Sequence, residues 1–245
     1  MKRNAFVFFW VFLLALCLGG PAKASVVIAA TRVVYPGADR DVSIKLTNNG
    51  TVPALVQSWV DAGDPDTLPE NSSAPFVLTP PVSRLDPNKG QTLRMMFTGA
   101  DLPQDKESLF WLNVLEIPPT SASGAETEMQ LAFRSRIKIF FRPPNLAGTA
   151  MDSPKQLRWQ VKQSSSGWVL EGHNPTPYFI TLTKAGIVVN GKSYHGENGE
   201  MLSPGGRVMF PLKELSGKPG SDVQVDFISI NDFGGGDPHI GKLEQ

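Results

Sequence analysis

The stretch DVSIKLTNNG, residues 41–50, decides the fold class, because apolar and polar residues alternate along it until a turn signal ends it. In an extended chain successive side chains point to opposite faces, so the apolar residues of this stretch would share one face. Such alternation predicts a strand with one buried face, and Asn48-Asn49-Gly50 predicts the turn that follows it.

Short apolar or alternating runs, each closed by a turn signal, recur along the rest of the chain. No window carries a sustained apolar stripe with the period of a helix. The 23 glycines and 21 prolines are ordinary for a β protein with many turns. We therefore expect an antiparallel β-sandwich architecture. Further strands are predicted over residues 26–30, 54–60, 76–78, 83–85, 91–97, 108–117, 128–141, 157–161, 167–171, 178–183, 187–189, 207–210 and 223–228.

A break in the pattern divides the chain into two halves. The segment RPPNLAG, residues 142–148, reads as a linker, and its consecutive prolines stiffen it toward an extended conformation. Each half has the size of one sandwich, so we expect domains over residues 25–144 and 145–245. A rigid linker favours a fixed bend between them, and therefore a cleft.

Residues 1–24 have the layout of a secretory signal peptide. Lys2 and Arg3 precede an apolar run over residues 5–18, and Ala22-Lys23-Ala24 supplies the small residues of a cleavage site. Cleavage there would leave 20 basic and 23 acidic residues and would remove Cys17, which is the only cysteine. No later segment is apolar for long enough to span a bilayer. The sequence predicts an exported protein without disulfides and without membrane insertion.

The sequence argues against nucleic-acid binding and against catalysis. The formal net charge is zero and no run rich in lysine or arginine occurs, so nucleic acid is not an expected partner. Residues 186–193 match a phosphate-binding loop by letter, but their centre is Ile-Val-Val followed by Asn190-Gly191, which favours a β-hairpin. The three histidines, His173, His195 and His239, are far apart in the sequence. We expect no enzyme, no cofactor and no metal site.

One run carries a family resemblance. LPQDKESLFWLNVLEIP, residues 102–118, resembles the signature of the periplasmic pilus-assembly chaperones, the PapD-like family. Four other stretches resemble the same family, so the resemblance spans the chain after residue 24. They are TRVVYP at 31–36, IKIFFRP at 137–143, NPTPY at 174–178 and INDFGG at 230–235.

The resemblance implies an all-β fold of two immunoglobulin-like β-sandwich domains arranged in an L with a cleft between them. It implies a periplasmic chaperone that caps pilus subunits by donating a β-strand and delivers them to an outer-membrane usher. The alternative is a secreted Ig-like structural or adhesive pilus component. Such a component would need an N-terminal donor extension and usually a cysteine pair, and neither is evident in the sequence.

The resemblance also assigns roles to individual residues. Met129, Leu131 and Phe133 alternate with polar or small residues and would fill the groove of a subunit. Arg32 and Lys138 would bind the subunit's C-terminal carboxylate in the cleft. Lys138 follows Phe133 by an odd number of residues. This spacing implies either a twist or bulge between them or a different face of the strand toward the cleft.

Three further residues match an inter-domain ionic trio in the family, namely Glu107, Arg142 and Asp232. We expect this trio to orient the two domains rather than to bind a partner. The sequence leaves open whether the free protein covers its exposed strand by forming a self-capping homodimer.

Overall fold

The computed structural model describes residues 25–119, 131–165, 167–196, 199–220 and 222–244. The predicted signal peptide and Met129 lie outside these residues. Strands dominate the described part, and its helices are two short 3₁₀ segments at Pro69–Asn71 and Ser153–Gln156. No helix in this part is long and apolar enough to cross a membrane.

The N-terminal half forms two sheets. One has the strand order β1-β3-β7-β5, and the other has the order β2-β9-β8-β4-β6. The bounds are β1 Val26–Ile28, β2 Arg32–Pro36, β3 Val42–Asn48, β4 Ala54–Asp61, β5 Phe76–Thr79, β6 Val82–Leu85, β7 Gly90–Phe97, β8 Ser108–Ile117 and β9 Phe133–Arg142.

The C-terminal half repeats this plan. One sheet has the order β10-β11-β15, and the other has the order β13-β12-β16-β17 with β14 paired to β12. The bounds are β10 Arg158–Ser164, β11 Gly167–His173, β12 Ile180–Val189, β13 Lys192–Gly196, β14 Glu200–Leu202, β15 Arg207–Pro211, β16 Gln224–Ile230 and β17 Gly236–Lys242.

Each half encloses its own apolar core. In the first, Leu46 and Leu93 of one sheet pack in a cluster with Leu112 and Ile139 of the other. In the second, Trp159 is fully buried, and Gly172 lies so close to its ring that an added Cβ would come within 2.9 Å of it. Two separate cores are the physical basis of two domains. The all-β class and the two-domain architecture predicted from the sequence are confirmed.

The structure corrects some details. The expected antiparallel sandwich contains a parallel strand pair, because β2 runs parallel to β9. The sequence predicts two strands, over 178–183 and 187–189, but residues 180–183 and 187–189 lie in the single strand β12. The pairing of β12 with β16 shifts register between Leu182 and Lys184. The hairpin prediction at Asn190-Gly191 is confirmed, since β12 and β13 pair directly across it and both turn residues have positive φ.

Candidate functional site

The candidate site lies where β2 pairs with only part of β9. The two strands pair from Arg32 opposite Lys138 to Pro36 opposite Arg142. Residues 133–137 of β9 pair with β8 on one side, but no strand of the described residues pairs with their other side. The upstream half of β9 therefore presents unpaired backbone N–H and C=O groups at the edge of the sheet.

Two large apolar side chains lie at and just before this open half. Phe133, the first residue of β9, is 41% exposed, and Leu131, two residues before the strand, is 58% exposed. Phe133 shares the alternation of Ile139 and Phe141, which are buried in the core. The apolar face of β9 thus continues from the core onto an exposed end, which is normally an aggregation hazard.

Lys138 lies on the opposite face of β9 from Phe133. The ladder between β8 and β9 runs from Ser108 opposite Phe141 to Glu116 opposite Phe133 without a shift in register. No bulge separates Phe133 from Lys138, so simple alternation places them on different faces. Of the two explanations left open by the sequence, the different-face explanation applies.

Arg32 and Lys138 are neighbouring cations, half-buried on adjacent strands. Burial lowers the pKa of Lys138, and the charge of Arg32 lowers that pKa further. Burial also lowers the pKa of Arg32, and Asp232 offsets part of this effect. Arg32 Nη1 donates to the carbonyl oxygen of Ile230 at 3.1 Å, while its buried Nε has no partner among the described residues. Two half-buried cations, neither in an ion pair with an acid of the described residues, favour a bound anion here.

The predicted ionic trio forms a connected group. Arg142 Nε donates to Glu107 Oε1 at 2.7 Å, and its two Nη atoms donate to the carboxylate oxygens of Asp232 at 2.8 and 3.0 Å. Glu107 Oε2 accepts the backbone N–H of Phe179 at 2.7 Å. The bonds link β9 and the segment before β8 to the C-terminal half of the chain.

Burial and the ion pairs act in opposite directions within this trio. The Glu107 side chain is almost fully buried, and burial raises its pKa even though Arg142 acts in the opposite direction. Burial alone would lower the pKa of Arg142, but the hydrogen bonds and charges of Asp232 and Glu107 raise it. Arg142 is therefore a permanent cation in the structure.

The cleft between the halves contains a cavity of about 50 Å³. Arg32, Phe140, Arg142, Phe179 and Phe233 are among its lining residues. Such a volume holds a few water molecules and is far smaller than an ordinary ligand pocket. No group of three or more possible metal-ligating side chains occurs in the described part of the chain.

Three residues close to Lys138 were not identified from the sequence, namely Asp61, Trp111 and Arg136. Arg136 lies 4.1 Å above the Trp111 ring and makes a two-pronged ion pair with the buried Asp61. The Lys138 ammonium lies 5.6 Å from the same Trp111 ring. The signal was available in the sequence, because Arg134, Arg136 and Lys138 alternate and must share one face of a strand.

Family models match both halves. "Pili and flagellar-assembly chaperone, PapD N-terminal domain" matches residues 25–147, and "Pili assembly chaperone PapD, C-terminal domain" matches residues 152–241. The probable fimbrial chaperone YadV of Escherichia coli K12 is 39% identical over 91% of this chain and 92% of its own. The chaperone protein FimB/FhaD of Bordetella pertussis is 41% identical over 92% of this chain and 91% of its own.

Solved structures agree with these matches. The YadV chaperone superposes with a TM-score of 0.77 and covers 90% of this chain and all of its own. The Salmonella enterica chaperone SafB, solved in complex with the SafA pilin, has 32% identity and a TM-score of 0.73 over 91% of this chain and 99% of its own. Two family models and full-length relatives support one conclusion: the chain belongs to the PapD-like family of pilus-assembly chaperones.

Proposed function

We propose that this protein is a periplasmic chaperone that captures pilus subunits by strand donation and passes them to an outer-membrane usher. The observation that carries the proposal is the open, apolar upstream half of β9 beside the cation pair Arg32 and Lys138. The SafB chaperone, a relative in complex with a pilin, supports the same partner class. The relatives' names favour a chaperone over the alternative, a structural or adhesive pilus component.

The pairing of β2 supports a definite direction for the captured strand. A strand added to residues 133–137 would lie in line with β2 and reach Arg32 and Lys138 at its inner end. If that end is the subunit's C-terminus, its carboxylate meets two cations and forms charge-assisted hydrogen bonds worth about 1.5–3 kcal/mol each. The captured strand then runs parallel to β9, as β2 does.

The apolar side chains supply the second part of the affinity. Leu131 and Phe133, with Met129 as the third member of the alternating set, would enter the groove left by the subunit's missing strand. Complete burial of such a side chain is worth about 1.5–3 kcal/mol. The carboxylate contact would fix the register, because a slip by one residue would turn every apolar side chain away from the groove.

The proposal includes the assignments that concern the chain as a whole. A signal peptide over residues 1–24 would deliver the protein to the periplasm, and the domains would span residues 25–144 and 145–245. The trio of Glu107, Arg142 and Asp232 would hold the domains at a fixed angle. The protein would act by binding alone, without a cofactor and without catalysis.

Delivery to an usher needs a surface that remains free while a subunit is held. The outer face of the second N-terminal sheet supports such a role. Leu55 and Val82 are exposed there on β4 and β6, and Ile117 of β8 pairs with Leu55. This patch lies across the sheet from the open edge of β9. The open edge itself is the surface through which a self-capping homodimer would form.

The capture proposal is tested by periplasmic pull-down of the tagged protein and identification of bound subunits by mass spectrometry. Leu131→Glu should reduce capture at least tenfold, because it loses apolar burial and places a charge in the groove. Val77→Glu is the matched control, because Val77 is 47% exposed on β5 in the other sheet. Equal capture by all three proteins would contradict the proposal.

The usher surface is tested by a second variant. Leu55→Glu should leave subunit capture unchanged and reduce binding of the chaperone–subunit complex to the usher at least tenfold, since a charge replaces an apolar contact. The measurement is surface binding of the purified complex to the usher's periplasmic domain. A Leu55→Glu complex that binds the usher normally would show that the delivery surface lies elsewhere.

A further inference from the structure

Ser25, the first residue after the predicted cleavage site, is held by the carboxylate of Glu116. The Ser25 nitrogen lies 3.1 Å from Glu116 Oε2 and 3.3 Å from Oε1. The next backbone N–H, of Val26, donates to Oε2 at 2.9 Å. The Ser25 hydroxyl donates to Oε1. Three donors from two consecutive residues thus converge on one carboxylate.

Glu116 has an unusual environment for an acid. Its residue is only 8% exposed, near the end of β8. No lysine, arginine or histidine side chain in the described part of the chain forms an ion pair with it. A buried carboxylate without a cationic partner is costly, so the site lacks a positive charge that would complete it.

The chain around Ser25 fits it tightly. The Asn49 N–H donates to the Ser25 carbonyl oxygen at 2.7 Å. A Cβ at Gly50 would come within 2.5 Å of the Ser25 Cβ, so a side chain at this turn would displace residue 25. The turn that ends β3 therefore encloses Ser25 and keeps its nitrogen directed at Glu116.

We propose that Glu116 is the built-in counter-ion for the α-ammonium group that cleavage after Ala24 creates at Ser25. The inference rests on the proposed export of the protein. Hydrolysis of the Ala24–Ser25 bond adds one water and leaves a carboxylate on Ala24 and an ammonium group on Ser25. The single N–H that both Glu116 oxygens share before cleavage is replaced by three donors and a positive charge.

The location of this ion pair connects it to strand donation. Glu116 pairs with Phe133 at the end of the ladder between β8 and β9, where the open half of β9 begins. Ser25 directly precedes β1 in the opposite sheet. The new N-terminus therefore links the two sheets of the N-terminal domain beside the first residue of β9. This ion pair gives the processed chain a higher free energy of unfolding than its precursor.

A double-mutant cycle tests the proposal on purified protein without any subunit. Two N-termini, one beginning at Ser25 and one retaining Ala24, are each combined with Glu116 and with Glu116→Gln. Urea unfolding gives the four folding equilibrium constants. Retention of Ala24 should lower the constant about tenfold or more when Glu116 is present, as expected for loss of a charge-assisted pair. It should change the constant less than twofold in the Glu116→Gln background.

An equal effect of Ala24 in both backgrounds would overturn the proposal and indicate a purely steric role for residue 24. N-terminal sequencing of the periplasmic protein that began at any residue other than Ser25 would also overturn it, while leaving subunit capture unaffected. If Glu116→Gln fails to fold, Nα-acetylation of the Ser25 form replaces it, because this removes the charge and keeps one N–H. The acetylated protein should then show the tenfold loss, and an unchanged constant would refute the ion pair.

Discussion

At the scale of the residue, Lys138 and Arg32 are two cations suited to binding an anion at the candidate site. Both are half-buried, both have lowered pKa values because of burial, and neither forms an ion pair with an acid of the described residues. Each cation therefore carries a desolvation cost in the free protein, and a bound anion would offset that cost. Such a conflict between stability and function is typical of binding sites.

This conflict predicts the behaviour of Lys138→Met. The variant should lose subunit capture, because it removes one of the two cations, yet it should unfold at the same or a higher temperature than the unmodified protein. Each kcal/mol gained would raise Tm by about 2–4 °C in a chain of this size. Thermal unfolding of the free protein checks the stability and the pull-down checks capture. A lower Tm would show that Lys138 stabilises the fold.

At the scale of the element, β9 is tied to the neighbouring strands β8 and β4 through side-chain hydrogen bonds. Arg136 reaches across β8 to Asp61 at the end of β4, and Asn113 of β8 donates to the same carboxylate at 2.7 Å. Burial alone would raise the pKa of Asp61, but the hydrogen bonds from Arg136 and Asn113 outweigh it and lower that pKa. Three neighbouring strands are thus tied together through one buried acid.

Asp61→Asn should lower the free energy of unfolding by about 3 kcal/mol at neutral pH, because it leaves Arg136 without its charge partner. The lowered pKa gives the pH dependence its sign. The contribution of Asp61 is complete above its unfolded pKa of about 3.9 and is lost as the pH falls through the lower folded-state value. Urea unfolding from pH 7 downward should therefore show the difference between the two proteins shrinking in acid. A constant difference would exclude this mechanism.

Sequence patterns predicted the elements better than their partners. Alternating or apolar runs located β3, β7 and β8 almost to the residue, because the core buries one face of β3 and most of β8. It could not reveal that β2 is parallel to β9, since periodicity identifies a face but not a neighbour. β17 was missed because Gly236, Pro238 and Gly241 interrupt its pattern on an exposed edge.

The site residues were predicted from the sequence on a different basis. The assignments of Arg32, Lys138 and the trio came from family resemblance, because nothing in local periodicity brings residues 107, 142 and 232 together. Asp61 and Glu116 were missed because each reads as an ordinary charge within a strand. Only the folded chain reveals that each is buried against donors far away in the sequence.

At the scale of the whole molecule, hydrogen bonds and ion pairs join two halves that each have their own apolar core. Arg142 bonds to Glu107 on one side and to Asp232 on the other. Gly234 provides a further contact, because a Cβ there would lie within 2.2 Å of Thr31 Oγ1. Phe140 and Phe179 also pack across the halves, with ring centroids 5.9 Å apart. In the proposed arrangement, this contact and the ionic trio together would fix the relative orientation of the halves.

Arg142→Ala should destabilise the protein by about 3–5 kcal/mol, because it leaves the buried Glu107 without a cation. Adding Glu107→Gln should restore most of this loss, since a neutral amide avoids the buried charge and can still accept the Phe179 N–H. Chemical unfolding measures both, and small-angle scattering measures the spread of domain angles. If the double variant is no more stable than Arg142→Ala, the trio contributes through packing rather than charge.

The short strand β2 has a consequence for which polypeptides this protein accepts. From Arg32 onward, β2 already occupies the position beside β9. A strand paired with the open half of β9 could therefore not extend past Arg32 within the sheet. Under the proposed capture, a polypeptide that continues beyond its last strand would have to turn out of the sheet at Arg32. Strand donation would therefore favour subunits whose last strand ends at the C-terminus, so that completed chains would be captured in preference to chains still being translocated.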